Sequence, residues 1–74
     1  MKTIHQERYQ QLIALLIDQR KRLGLTQAQL AEKLNKPQSY IAKIERCERK
    51  LDVLEYVLLC EYLEVCAGEL LAQI

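Results

Sequence analysis

The chain has 74 residues, half of them apolar, which bounds it to one expected domain over residues 1–74 with a small core. Two glycines, one proline and neither Phe nor Trp leave few turns and suit an all-α fold; no uncharged apolar run approaches the ~20 residues of a membrane span. The net charge of +1 conceals an asymmetry: residues 20–50 carry nine cations and three anions, or +6, and residues 51–74 carry five carboxylates and no cation, or −5.

Thr3 and Gln6 have the spacing of a capping box, in which each side chain satisfies a backbone N–H at a helix start. From there Tyr9, Leu12, Ile13, Leu16, Ile17 and Leu23 recur at helical spacing until Gly24, which predicts a first helix over Thr3–Leu23. Thr26 and Gln29 repeat the capping pattern and open a second helix over 27–34, with Leu30, Ala31 and Leu34 facing inward. Asn35 and Lys36 make a short turn. Pro37 starts a third helix over 37–46, at a first position where its missing N–H costs nothing, and Ile41 and Ile44 mark the buried stripe. Asp52 with Glu55 opens a fourth helix, apolar through Val53, Leu54, Val57, Leu58 and Leu63. Cys66 precedes a short fifth helix carrying Leu70, Leu71 and Ile74.

Several chemistries are poorly served by these residues. A single histidine, no glycine-rich phosphate loop, no GxSxG and no shared-face carboxylate cluster outside the acidic tail argue against an enzyme. Cys47, Cys60 and Cys66 are odd in number and contain no CxxC, so no disulfide framework, zinc site or cofactor is expected. Their ordinary reading is buried or half-buried thiols in a reducing compartment. The opening MKTIHQERYQ carries charge where a secretory signal needs an apolar stretch, so a cytoplasmic protein is expected.

The informative stretch is LGLTQAQLAEKLNKPQSYIAKIE, Leu23 to Glu45. Two short helices joined by a tight turn form a helix-turn-helix unit, whose second helix can enter the major groove of DNA. Ala31 lies where the two helices cross, and its small side chain permits close approach. At about 100° per residue, Ser39, Lys43 and Arg46 point away from the Ile41 and Ile44 stripe, with Gln38 projecting from the helix start. An amide, a hydroxyl and two cations are groups that read adenine, guanine or phosphate. The basic middle of the chain contains this face, so charge and helix geometry point to the same polyanion.

With these features in register, the sequence resembles the lambda-repressor/Cro-type helix-turn-helix family, also called the xenobiotic-response-element family. LTQAQLAEKL, SYIAKIE and LEVCAGELL carry the likeness, which runs from Ile17 to Leu71. The resemblance implies a five-helix, lambda-repressor-like DNA-binding domain and a transcriptional regulator, expected to be a repressor. It implies base contacts from Gln38, Ser39 and Lys43, and backbone contacts from Gln27, Tyr40, Arg46, Arg49 and Lys50. Tyr40 has packing as its alternative role. The resemblance also pairs Arg20 with Glu45 as a structural ion pair, with Arg20 a further candidate for phosphate. Glu45 lies beside the inward stripe of its helix, where a carboxylate needs a partner.

Two positions depart from the family pattern. Cys47 and Glu64 stand where glycine usually follows a helix, so either a left-handed backbone is forced on a non-glycine residue or the helix runs on by a turn. Beside Arg46 and Arg49, Cys47 also raises the alternative of a redox-sensitive thiol.

The partners expected are double-stranded DNA and a second copy of the chain. One recognition helix reads too few base pairs to single out a site, whereas a two-fold dimer doubles the readout. The fourth helix is apolar around most of its circumference, and Leu58, Leu70, Leu71 and Ile74 are assigned to the dimer interface, with Ile4 nearby. Two alternatives stand beside this reading: the antitoxin of a toxin–antitoxin pair, with a toxin as partner, and an interaction module that keeps the fold without reading DNA. No membrane and no small-molecule ligand is expected.

Overall fold

The computed structural model describes residues 3–74. Thr3–His5 form a 3-10 turn, and the extended backbone of Gln6 (φ −76°, ψ 138°) separates it from α1 (Glu7–Arg22). The first helix therefore starts later than the sequence pattern suggests, with Gln6 as an N-cap that makes no side-chain hydrogen bond. The capping role given to the Thr3 side chain lies outside the described residues.

The later helices are α2 (Gln27–Lys33), α3 (Gln38–Glu45), α4 (Val53–Tyr62) and α5 (Ala67–Ala72). Both α2 and α4 open on complete capping boxes. Thr26 Oγ1 accepts from the Gln29 N–H at 3.0 Å while Gln29 Oε1 accepts from the Thr26 N–H at 2.9 Å. Asp52 Oδ1 and Glu55 Oε1 do the same at 2.7 and 3.0 Å. Pro37 is the N-cap of α3 (φ −71°, ψ 156°) rather than its first helical residue. Its ring-fixed φ serves an extended cap as well as a first turn.

Each of α1 to α4 ends in the same way. A residue in the left-handed region follows the C-cap: Gly24 (φ 73°), Asn35, Cys47 and Glu64 (φ 57° each). Its N–H and the next one fold back onto the last turn, as in Gly24 N–H to Lys21 carbonyl and Leu25 N–H to Arg20 carbonyl. Cys47 and Glu48 bond Ile44 and Lys43 likewise, and Glu64 and Val65 bond Glu61 and Cys60. These are Schellman motifs, which satisfy carbonyls a helix end leaves open. Of the alternatives at Cys47 and Glu64, the left-handed backbone is the one adopted.

None of α2 to α5 exceeds ten residues, too short to be helical alone, so packing holds them. Ile13 and Leu16 of α1, Leu30 and Ala31 of α2, and Ile41 and Ile44 of α3 meet in one core. α4 adds Tyr56, Leu59 and Cys60, with Leu63 just beyond it, and α5 adds Leu70. Ala31 is only 1% exposed where α2 packs on α3, as close approach of two backbones requires. Among the described residues, no helix is long and apolar enough to cross a membrane.

The strained cap at Glu64 is exposed, so its side chain has little packing to lose. Glu64→Gly should stabilise the fold by about 0.5–1 kcal/mol, the left-handed strain exceeding the added backbone entropy of glycine. The carboxylate is also badly placed at a helix C-terminus. A rise in Tm of about 2–8 °C in thermal melts is expected; an unchanged or lower Tm would show that φ 57° is unstrained here.

Candidate nucleic-acid interface

The outward face of α3 carries Gln38, Ser39 and Lys43, followed by Arg46 at its C-cap, and all four are exposed. Ile41 and Ile44, on the opposite side, are buried in the core. The helix is thus anchored on one side and free for a groove on the other.

Its anchor is an ion pair. Arg20 Nε donates to Glu45 Oε2 at 2.7 Å and Nη2 to Oε1 at 3.1 Å, with both side chains about nine-tenths buried (10% and 11% exposed). The remaining Arg20 nitrogen, Nη1, donates to the Leu25 carbonyl at 2.7 Å, in the turn between α1 and α2. Arg20 therefore sits at the joint of α1, the turn and α3, with its fork filled from both sides. Gln27 Nε2 adds a further hydrogen bond to Glu45 Oε1 at 2.8 Å, and Gln27 Oε1 accepts from Gln38 Nε2 at 3.4 Å. An unbroken path of hydrogen bonds runs from the buried guanidinium to the first residue of α3. Among the described residues, every buried side-chain N and O has a partner.

Tyr40 does not hold its hydroxyl out for a phosphate. It donates to Glu55 Oε2 at 2.8 Å, while Arg49 lies over its ring at 4.7 Å from the centroid. Burial, then the hydrogen bond to the Glu55 carboxylate, pushes the Tyr40 phenol up to about 12. The Asp52 N–H holds the Glu55 carboxyl below its usual value, against the opposing effect of burial, and the Tyr40 hydroxyl and Arg49 add to the lowering. Arg49 pairs with Glu55 at 3.1 Å, so its charge is already compensated within the chain. Arg46 meets only the exposed Glu48, at 3.2 Å, a surface pair of little energetic weight. Lys50 is exposed and Cys47 half-buried. Burial raises the Cys47 thiol, which disfavours the thiolate that redox sensitivity needs.

The residues assigned to a dimer interface divide. Leu70 is 5% exposed and belongs to the chain's own core, which removes it from any intersubunit surface. Ile74 is half-buried against that core, and its carbonyl accepts from Arg8 Nε at 2.8 Å. Leu58 and Leu71 are exposed. Leu58 is joined on the outward side of α4 by Val53 and Leu54, 76% and 80% exposed, and by Val57 and Tyr62, while Leu71 lies on α5.

Glu55 was visible in the sequence only as a helix cap. Its partners Tyr40 and Arg49 lie on a different helix and in a loop, and no local spacing links them to it.

Removing one member of the Arg20–Glu45 pair leaves a buried charge without compensation, at a typical cost of about 3–5 kcal/mol. Arg20→Ala and Glu45→Ala should each lower the melting temperature sharply, and the double variant should lose clearly less than the sum. Additive losses in thermal or urea unfolding would show that the pair is not coupled.

A helix-turn-helix family model matches residues 16–70 of the chain. Among solved structures, the chain is similar to an XRE-family like protein from Pseudomonas syringae pv. tomato str. DC3000, with 42% identity and a TM-score of 0.87. That match covers 96% of this chain and 87% of the other. No curated protein matches. The span matched by the family model contains most of the core, the Arg20–Glu45 pair and the outward face of α3, and on this ground the chain belongs to the Cro/C1-type, or XRE, helix-turn-helix family of DNA-binding transcription regulators.

Proposed function

We propose that the protein is a repressor that binds a near-palindromic operator as a homodimer. The observation that carries the reading is the exposed row Gln38, Ser39 and Lys43 on a helix braced from below through Gln27, Glu45 and Arg20. In the major groove, a Gln amide matches adenine N6 and N7, a Lys ammonium matches guanine O6 and N7, and a Ser hydroxyl serves either. Bracing matters because a reading side chain held in place loses less entropy on binding. Gln27 keeps one amide N–H for a backbone phosphate, and Arg46 and Lys50 supply cations at the other end of α3.

Dimerisation is supported by the outward side of α4. Val53, Leu54, Val57, Leu58 and Tyr62, with Leu71 from α5, form an exposed apolar face that a monomer leaves in water. A two-fold dimer needs its two recognition helices on half-sites about 34–36 Å apart, one turn of DNA, and this face is the surface proposed for its axis.

For base reading, Gln38→Ala and Lys43→Ala should each weaken binding to an operator selected by the wild type by about 1–3 kcal/mol. On scrambled DNA of equal length, measured at the same salt, the loss should be smaller. Equal losses on both sequences would make these residues backbone contacts.

For assembly, sedimentation at micromolar concentration should give a dimer for the wild type and a monomer for Leu58→Asp and Leu71→Asp, with helical circular dichroism retained. The monomeric variants should lose most operator affinity. A wild-type monomer that binds a single operator tightly would sink the dimeric reading.

A further inference from the structure

Outside the groove face, the polar contacts converge on one carboxylate, Glu55 in the first turn of α4. Its Oε2 takes the Tyr40 hydroxyl of α3 at 2.8 Å. Arg49, in the loop between α3 and α4, reaches the same carboxylate at 3.1 Å and stacks on the Tyr40 ring. Lys36, from the turn before α3, lies over the same ring at 5.4 Å. Glu55 Oε1 is meanwhile held by the Asp52 N–H of the α4 capping box. Three segments are thereby fastened at one point: the recognition helix, the loop after it, and the start of the helix bearing the exposed apolar face.

We propose that Tyr40, Arg49 and Glu55 form a clasp that sets the position of α3 relative to the α4 face, and so sets the half-site spacing the dimer accepts. The proposal rests on the dimeric, operator-binding reading and names the positioning residues within it. Apolar packing of Ile41 and Ile44 is non-directional, and the Arg20–Glu45 pair, with Gln27, fixes α3 against α1 and α2 at its C-terminal end but makes no hydrogen bond to α4 among the described residues. A hydrogen bond is directional and weakens steeply when bent. Each recognition helix would stand about 17 Å from the two-fold axis, half of one DNA turn. Each protomer supplies half of any change in separation, so a displacement of α3 by about 1.7 Å along the DNA shifts the half-sites by the ~3.4 Å rise of one base pair. A clasp that resists a displacement of that size therefore favours one spacing over its neighbours.

The clasp also reassigns Arg49. Its Nη1 lies within reach of Glu55 and of the Lys50 carbonyl, at 3.1–3.3 Å, and its guanidinium carbon lies over the Tyr40 ring. A phosphate drawing on the same Nη1 would compete with Glu55 for it and weaken that carboxylate's hold on its cation. Arg49 is thus assigned first as a positioning residue of the clasp, and its charge toward phosphate is what the salt dependence below separates from that role.

The test uses the full chain and the operator selected by the wild type, together with versions whose half-sites are moved one base pair closer or farther apart. The wild type should prefer its own spacing on the order of tenfold. Tyr40→Phe, which removes only the hydroxyl, should reduce that preference to about threefold or less, with dimerisation and binding to scrambled DNA unchanged. Glu55→Ala should do the same, and Glu55→Gln, which keeps an acceptor, should restore most of the preference. The double variant Arg49→Gln/Glu55→Gln keeps the net charge, so the slope of log K against log salt should be unchanged. A phosphate-bound Arg49 would instead lower the slope by about 0.9.

Without DNA, tyrosinate absorbance should show the Tyr40 phase, identified by difference from Tyr40→Phe, moving down in pH in Glu55→Gln. Folded variants that retain the full spacing preference would overturn the clasp while leaving the dimeric reading intact. A wild type indifferent to spacing would overturn the dimeric reading, and the clasp with it.

Discussion

The Glu45 carboxylate, at the end of the recognition helix, is the point on which the rest of the geometry depends. It receives Arg20 through two nitrogens and Gln27 through its amide, all between 2.7 and 3.1 Å. A carboxylate this far from water needs such an array, because the desolvation of both charges must be offset within the fold. For that reason the pair is better understood as a constraint than as a source of stability. An apolar pair of similar volume would fill the space without fixing an angle. The guanidinium fork fixes one, and it fixes it against the Leu25 carbonyl at the same time. The orientation of α3 follows from the end of α1, and the first residue of α3 is braced through Gln27.

Glu55 repeats this device on the other side of α3. Glu45 gathers donors from α1 and α2 onto α3, and Glu55 gathers α3 and its following loop onto α4. A chain of this size has little core to spend on rigidity, and four of its helices are too short to be stable alone. Two carboxylates, each collecting donors from separate segments, supply direction where the apolar core supplies only cohesion. Lesser ties have the same form. Tyr9 accepts the Leu51 N–H at 3.0 Å, Tyr56 donates to the Ala67 carbonyl at 2.7 Å, and Gln19 donates to the Leu63 carbonyl at 2.8 Å.

What could be read from the sequence was what is encoded locally. The capping pairs Thr26/Gln29 and Asp52/Glu55 lie three residues apart and formed as their spacing implies. The stripe of α3 separates Ile41 and Ile44 from Ser39 and Lys43 because eight residues are more than two turns. α5 has only six residues, and its pattern could not tell Leu70 from Leu71; one is buried and its neighbour is 49% exposed. α4 was ambiguous for the opposite reason. With apolar residues nearly all round, nothing in the pattern shows that Tyr56, Leu59 and Cys60 face inward and Val53, Leu54, Val57 and Leu58 outward. The Tyr40–Glu55 contact spans fifteen residues with a turn between, beyond any periodicity. The late start of α1 follows from the extended Gln6, which a capping pattern alone did not reveal.

The division of charge acquires a structural meaning from these contacts. Lys43, Arg46 and Lys50 are exposed at and beyond the outward face of α3, while Glu61, Glu64 and Glu69 are exposed at the far end of α4, beyond it and on α5. The acidic segment approaches the basic one at its beginning, where Asp52 and Glu55 open α4. An uncompensated carboxylate there would lie close to the end of the recognition helix, and screening over about 8 Å would not hide it from a phosphate. Glu55 is compensated where it stands, by Arg49 and by the hydrogen bonds of Tyr40 and Asp52. The contact that ties α3 to α4 is thus also the contact that neutralises the Glu55 carboxylate at the boundary between the basic and acidic halves. One arrangement of three side chains meets both needs, and it does so because the Arg49 guanidinium is drawn onto the Glu55 carboxylate and the Tyr40 ring.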